Sequence, residues 1–135
     1  MANSSKKLTQ LRHEFHQYPE LGFQETKTKT KIAKFLRAIG LEVIEGVGVI
    51  GLLKSGSGSK TIGLRADMDA LPIQETSKHA YSSKHPGVMH ACGHDGHMTM
   101  LLGAAEELAN GLDFNGTVIF IFQPNEENGL GAKAM

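Results

Sequence analysis

The sequence predicts an α/β layered domain built on a mixed, mostly parallel sheet, and three observations carry that prediction. Segments with helical apolar spacing alternate with short β-branched runs along the chain. Thr117-Val-Ile-Phe-Ile-Phe122 is continuously apolar and β-prone, as a strand covered on both faces would be. Three clusters of chemically active side chains fall just past or near predicted strand ends, where layered α/β domains bind their ligands.

The elements follow in order. Leu8, Leu11 and Phe15 recur at helical spacing until Tyr18-Pro19 stops them. Ile32, Phe35, Leu36 and Ile39 repeat the pattern, and Gly40 supplies a C-terminal cap. Leu41 to Ile44, Val47 to Leu53 and Thr61 to Ala66 read as strands, the last two joined by the glycine- and serine-rich run Lys54 to Lys60 and able to pair as a hairpin. The aperiodic polar stretch from Gln74 to Pro86 reads as an exposed loop. A helix starting near Asp95 carries Met98, Leu101, Leu102, Ala105, Leu108 and Ala109 on one face and ends before Gly111.

Composition narrows the class of function. The chain is 40% hydrophobic and 21% charged, which excludes the profile of a disordered segment. Lys plus Arg equal Asp plus Glu at 14 each, and no basic stripe with interleaved aromatics gives a footprint for nucleic acid. No apolar run approaches the ~20 residues of a bilayer span, and the N-terminal residues lack the apolar core of a signal peptide, so a cytoplasmic location is expected. A single cysteine rules out an internal disulfide and leaves Cys92 as thiol, ligand, nucleophile or small buried hydrophobe.

Its neighbours favour ligation. Met89-His-Ala-Cys-Gly-His-Asp-Gly-His97 packs three histidines, an aspartate and the cysteine into nine positions that end a loop and open a helix. Extended backbone would turn Cys92 and His94 the same way, Gly93 leaves room for an ion, and a helix N-terminus lowers a thiol pKa. Asp95 is expected to cap that helix, with His97 either orienting a ligand or exposed. Asp67 and Asp69 flank Met68 at a strand end, as turn residues or as acceptors that orient a ligating histidine. Glu126 and Glu127 follow the Thr117–Phe122 strand, where one carboxylate could bind metal while the other holds a proton. His13, His79 and His85 read as solvated.

Gly63-Leu-Arg-Ala-Asp-Met-Asp-Ala-Leu-Pro72, Met89 to His97 and Phe122-Gln-Pro-Asn-Glu-Glu127, preceded by His16-Gln-Tyr-Pro-Glu-Leu-Gly-Phe23, resemble the ordered signatures of the M20 metallopeptidase family. The likeness is to its amidohydrolase branch of hippurate hydrolases, N-acyl-amino-acid deacylases and auxin-conjugate hydrolases. The resemblance implies an α/β/α fold like that of zinc exopeptidases and a centre of two divalent metal ions, zinc or manganese foremost, with nickel or cobalt also fitting. Cys92, His94 and Glu127 would be metal ligands, Glu126 the general base, and Asp69 an orienting group. Asp67 stands where peptidase branches place a ligating histidine. Asp95 and His97 would lie around the ligands. Asn125 replaces the alanine usual in the family and leaves both glutamates in place.

The substrate so implied is a small N-acyl amino acid, with neither nucleic acid nor membrane as partner. Residues 1–135 would be the N-terminal part of a catalytic domain incomplete at its C-terminal end. The dimerising lid domain and two further histidine ligands of the family would lie beyond them, and full-length relatives would be homo-oligomers. Catalytic zinc takes about three protein ligands, so three matched donors cannot fill two metals. The chain by itself is therefore expected to bind metal poorly, to lack activity and to self-associate through exposed apolar surface. Two other readings remain open on residues alone, a non-catalytic metal-binding or interaction module and a thiol hydrolase using Cys92 with His94 or His97.

Overall fold

The structure, a computed structural model, describes residues 2–111 and 113–135. In chain order the elements are helices α1 (Ala2–Gln17) and α2 (Thr26–Ala38), strands β1 (Glu42–Glu45), β2 (Val49–Ser55) and β3 (Thr61–Asp67), helix α3 (His94–Ala109), strand β4 (Gly116–Gln123) and the short α4 (Gly131–Ala134). The strands form one mixed sheet in the order β1-β2-β4-β3. The α/β class is as expected, with a smaller parallel share: β1–β2 and β2–β4 run antiparallel, and β3–β4 alone is parallel.

The expected hairpin of the second and third strands does not form. β4 lies between them, with Gly51 opposite Phe120 on one side and Leu64 opposite Phe120 on the other. A parallel β3–β4 pair needs a long crossover, and α3 supplies it. The glycine-rich run instead bridges over the start of β4. The Gly58 N–H donates to Asn115 Oδ1 at 2.6 Å, Lys60 O accepts the Thr117 N–H at 2.9 Å, and a Cβ on Gly58 would come within 2.3 Å of Asn115 O. Glycine is needed there for close approach, not for a tight turn.

One face of the sheet carries the core. Val118, Phe120 and Phe122 of β4 and Val49 of β2 are buried with Ile32, Ala33 and Leu36 of α2, Met98, Leu101, Leu102 and Ala105 of α3, and Phe15 of α1. These are the apolar faces that the periodicity marks. α1 packs outside α3, and Gly103 lets it approach: a Cβ there would meet Leu8 Cδ1 at 3.0 Å. On β4 the alternate residues Ile119 and Ile121 are only half-buried, so burial alternates along the strand instead of covering both faces. No helix among the described residues is long and apolar enough to cross a membrane.

The fold sends three segments that carry candidate metal ligands to one end of the sheet. β3 and β4 run parallel, so Asp67–Asp69 and Asn125–Glu127 emerge side by side, with Asp67 paired to Gln123 and the Met68 N–H donating to Gln123 O at 2.9 Å. The N-terminus of α3 arrives beside them. An antiparallel bridge between Leu71 and Met89 closes the long loop that precedes it.

Candidate metal centre

Cys92, His94 and Glu127 each place a ligand atom within 4.8 Å of the others. Gly93 makes this convergence, though not through the expected extended backbone. It takes a left-handed conformation (φ 87°) as the residue before α3, so the chain turns sharply between thiol and imidazole. No heavy atom beyond its chain neighbours lies within 4 Å of a Cβ built on Gly93; its role is conformational, and the space beside it is open.

Asp69 fixes the geometry around His94. Its carbonyl accepts the His94 Nδ1–H at 2.9 Å, and its Oδ1 stands 3.3 Å from the same nitrogen. Its Oδ2 accepts the Glu127 N–H at 3.1 Å. With Nδ1 committed, Nε2 is left to face Glu126 Oε2 at 3.7 Å and Glu127 Oε1 and Asp67 Oδ2 at 3.9 Å each. Asp67 is buried, and its Oδ1 lies 2.8 Å from Arg65 Nη1, which also donates to Gln123 Oε1 at 2.7 Å. His97 is exposed, with Nδ1 3.7 Å from Asp67 Oδ2, so Asp67, His94 and His97 make a second cluster of ligand type that shares His94.

Charge around these side chains is one-sided. Burial pulls His94 down, but the hydrogen bonds to Asp69 and the Asp67 carboxylate outweigh it and raise the imidazole to about 8. Burial pushes Asp69 up, yet His94 and the N–H groups of Glu127 and Glu126 leave it below the ordinary value. Cys92 is exposed, and its thiol is pushed up by the hydrogen-bonding Glu127 carboxylate first, then by burial and by Glu126 and Asp67. This corrects the expectation that the helix N-terminus lowers the thiol pKa, because carboxylates within a few ångströms outweigh a half-charge dipole end. The thiolate that a thiol hydrolase needs is disfavoured. A cation would reverse the preferences of Cys92 and His94 at once and reinforce that of Asp69, since it favours thiolate, neutral imidazole and carboxylate together. The donor set therefore fits a divalent ion of borderline softness.

Asp95 is not the helix cap. The helix begins one residue before it, and its buried side chain turns inward to His16 Nδ1 at 2.9 Å and Arg12 Nε at 3.3 Å. Glu75, within the stretch expected to be exposed, turns back to His16 Nε2 at 3.2 Å and is bonded by the Ser77 hydroxyl and the Ser83 N–H. Burial opposes ionisation of Glu75, but these donors win and hold its carboxyl at about 2. His90 is buried beside this network and held down to about 4, chiefly by burial. Of the histidines expected to be solvated, His79 is exposed, whereas His85 donates through Nδ1 to Pro19 O at 2.8 Å and His13 stacks on Tyr81 with ring centroids 3.8 Å apart.

A pH dependence follows from these groups. His90 binds its proton more readily in the unfolded chain, so stability is lost as pH falls from 6.5 towards 4. Glu75 extends that loss from 4.5 towards 2. His94 acts in the opposite sense: its contribution is present below 6.5 and disappears as pH rises through 8. Thermal melts of the metal-free chain followed by circular dichroism should show greatest stability near pH 6.5 with a decline on either side. Added divalent metal should lift the alkaline side, because ligation needs neutral His94. A profile flat from pH 5 to 8 would contradict these assignments.

A layered α/β domain that gathers a thiol, an imidazole and a carboxylate at the carboxyl ends of its strands presents a donor set of metal-binding type. Residues 63–135 match the profile of Peptidase family M20/M25/M40, and the chain belongs to that family. It is 54% identical over 128 residues to the hippurate hydrolase of Campylobacter jejuni, covering 93% of this chain and 33% of that protein. It is 48% identical over 135 residues to thermostable carboxypeptidase 2 of Saccharolobus solfataricus, covering 95% of this chain and 34% of that one. Among solved structures it superposes with a TM-score of 0.94 on a dinuclear metal-binding M20 peptidase of Bacillus subtilis, at 40% identity, covering 98% of this chain and 38% of that chain. The chain spans about a third of the length of the curated relatives it matches.

Proposed function

We propose that these residues belong to a hydrolase that cleaves the amide bond of N-acyl amino acids, with Cys92, His94 and Glu127 as part of the ligand set for two divalent metal ions. The observation that carries this reading is the approach of those three donors to within 4.8 Å of one another. Zinc or manganese suits such a mixed donor set, and nickel or cobalt also fits. Such ions, when bound, polarise a carbonyl and make water a nucleophile at neutral pH.

The chain's own residues supply the rest. Glu126 is partly exposed and stands 3.7 Å from His94 Nε2, where it can take a proton from the attacking water and return it to the leaving amine. The C–N bond breaks, the acyl carbon gains the hydroxyl, and the products are a carboxylate and a free amino acid. Asp69 holds His94 and the Glu127 backbone so that both face the same point. Beside the site a groove of about 410 Å³, lined by Leu64, Leu101 and Ala104 together with Arg65, Asp67 and His97, offers room for an acyl or side-chain group. A hippurate hydrolase and a carboxypeptidase both release an amino acid from an acylated nitrogen, which supports that substrate class.

The three residues assigned as ligands do not complete two metal sites, so turnover by this chain alone is expected to be absent. A chimera in which the chain replaces the matching N-terminal third of the Campylobacter jejuni hippurate hydrolase should hydrolyse benzoyl- or acetyl-amino acids and lose activity to a chelator. A folded, metal-loaded chimera that hydrolyses none of them would sink the catalytic reading in favour of a non-catalytic metal-binding module.

A further inference from the structure

The segment Glu20–Glu25, most of which lies in the His16–Phe23 signature, takes no part in the chemistry described above, yet it touches both ligand-bearing strand ends. On one side Leu21 bridges Ala70 in parallel fashion, and Glu20 O accepts the Ala70 N–H at 2.8 Å, next to Asp69. On the other, Glu25 reaches across 100 positions of sequence so that its Oε1 accepts the Asn125 N–H at 2.9 Å, next to Glu126 and Glu127. Glu25 is 2% exposed and Asn125 1% exposed. Gly22 lies so close that a Cβ on it would fall 2.0 Å from Asn125 Oδ1.

Asn125 needs such a hold. Its φ is 46°, in the left-handed region that costs most side chains about 1–2 kcal/mol and that asparagine visits more readily than alanine. Its side-chain oxygen accepts from Asn128 Nδ2 at 2.7 Å, and its carbonyl accepts from the Gly131 N–H at 3.2 Å. The turn that aims Glu126 and Glu127 is thus built on one residue, and the buried carboxylate of Glu25 pins the backbone amide of that residue. The segment is itself anchored, because the Glu20 carboxylate accepts the Lys27 and Thr28 N–H groups at the start of α2 (3.2 and 2.8 Å), and Phe23 carries a φ of 62°.

We infer that Glu25 is a positioning residue: through Asn125 it sets the Glu126–Glu127 turn against the Asp69–His94 pair, and the Glu20–Glu25 segment is the strut that keeps the two strand-end clusters in register. The inference rests on the reading of the site as a metal centre, but its first test does not. Amide hydrogen exchange on the metal-free chain compares wild type with Glu25→Ala and Glu25→Gln. In Glu25→Ala the amides of Asn125 and Glu127 should exchange faster by about tenfold or more, the loss expected when a buried donor is left unsatisfied, while Phe120 in the middle of β4 stays within about twofold. Glu25→Gln keeps an acceptor oxygen and should restore protection. Equal acceleration at Phe120, unchanged exchange at Glu127, or failure of the glutamine variant to rescue would overturn the inference.

The second test, in the chimera with the Campylobacter jejuni hippurate hydrolase, titrates Co²⁺ and follows the thiolate absorption of Cys92. Glu25→Ala should weaken binding by about 10–100-fold, as loss of an outer partner does, and Glu25→Gln by less than about threefold. Equal affinity in wild type and Glu25→Ala would overturn the positioning role. Absence of any cobalt–thiolate band in wild type would instead count against the metal centre itself, and the exchange result would still decide the strut.

Discussion

Replacing Glu126 by glutamine in the chimera with hippurate hydrolase is expected to lower turnover by about 10²–10⁴-fold, the range that general-base catalysis contributes. The substitution keeps size and shape and removes the negative charge, and with it the capacity to carry a proton. Glu126 Oε2 lies 3.7 Å from His94 Nε2, and the backbone around it is set by Asn125 and by the Glu127 N–H bond to Asp69, so the turn should survive the change. Cobalt affinity should accordingly stay within about threefold, because the ligating carboxylate is assigned to Glu127. The contrast between the two readouts is the informative part. Activity lost together with metal would make Glu126 a ligand, and activity retained would move the base elsewhere.

Much of the fold was legible because its elements are local. Phe15, Ile32, Leu36, Met98 and Leu102 mark helix faces by spacing alone, and each is buried where that spacing put it. Strand order was not, because nothing in the run Lys54–Lys60 distinguishes a hairpin loop from one that passes over another strand. The partner that decides the matter, β4, starts more than 50 residues further on. The chemistry divided along the same line. Cys92, His94 and the two glutamates stand out by residue type and by their place after predicted elements. The inward turn of Asp95 to His16 and of Glu75 to the same ring depends on contacts 79 and 59 positions apart and leaves no local trace.

Glu25 escaped for a related reason. It precedes α2 where an acidic residue is ordinary, and its bond to Asn125 spans 100 positions. A faint signal existed at the other end, since an asparagine in place of alanine before two functional carboxylates is what a left-handed backbone would favour. The thiol shows the limit of element-level reasoning. A helix N-terminus argues for a lowered pKa, but the sign at Cys92 is set by carboxylates that the tertiary fold delivers.

Loss of His94 should be the most damaging single change to metal binding. Its imidazole belongs to both groups of converging donors, with Cys92 and Glu127 on one side and with Asp67 and His97 on the other, so neither group of three among the described residues survives its removal. His94→Ala is expected to weaken Co²⁺ or Zn²⁺ binding by more than about 100-fold, beyond the range seen when only an outer partner is lost. His97→Ala, which leaves the Cys92 set intact, should change it far less. The metal-free stability of His94→Ala should behave differently from its affinity. Above pH 8 the wild-type imidazole no longer gains from its protonated form, so the destabilisation caused by the variant should shrink between pH 6.5 and 9 while the metal defect persists. Isothermal titration paired with thermal melts at those two pH values separates the two roles. If His94→Ala and His97→Ala weakened binding equally, the ion would sit in the Asp67 group and not against the thiol.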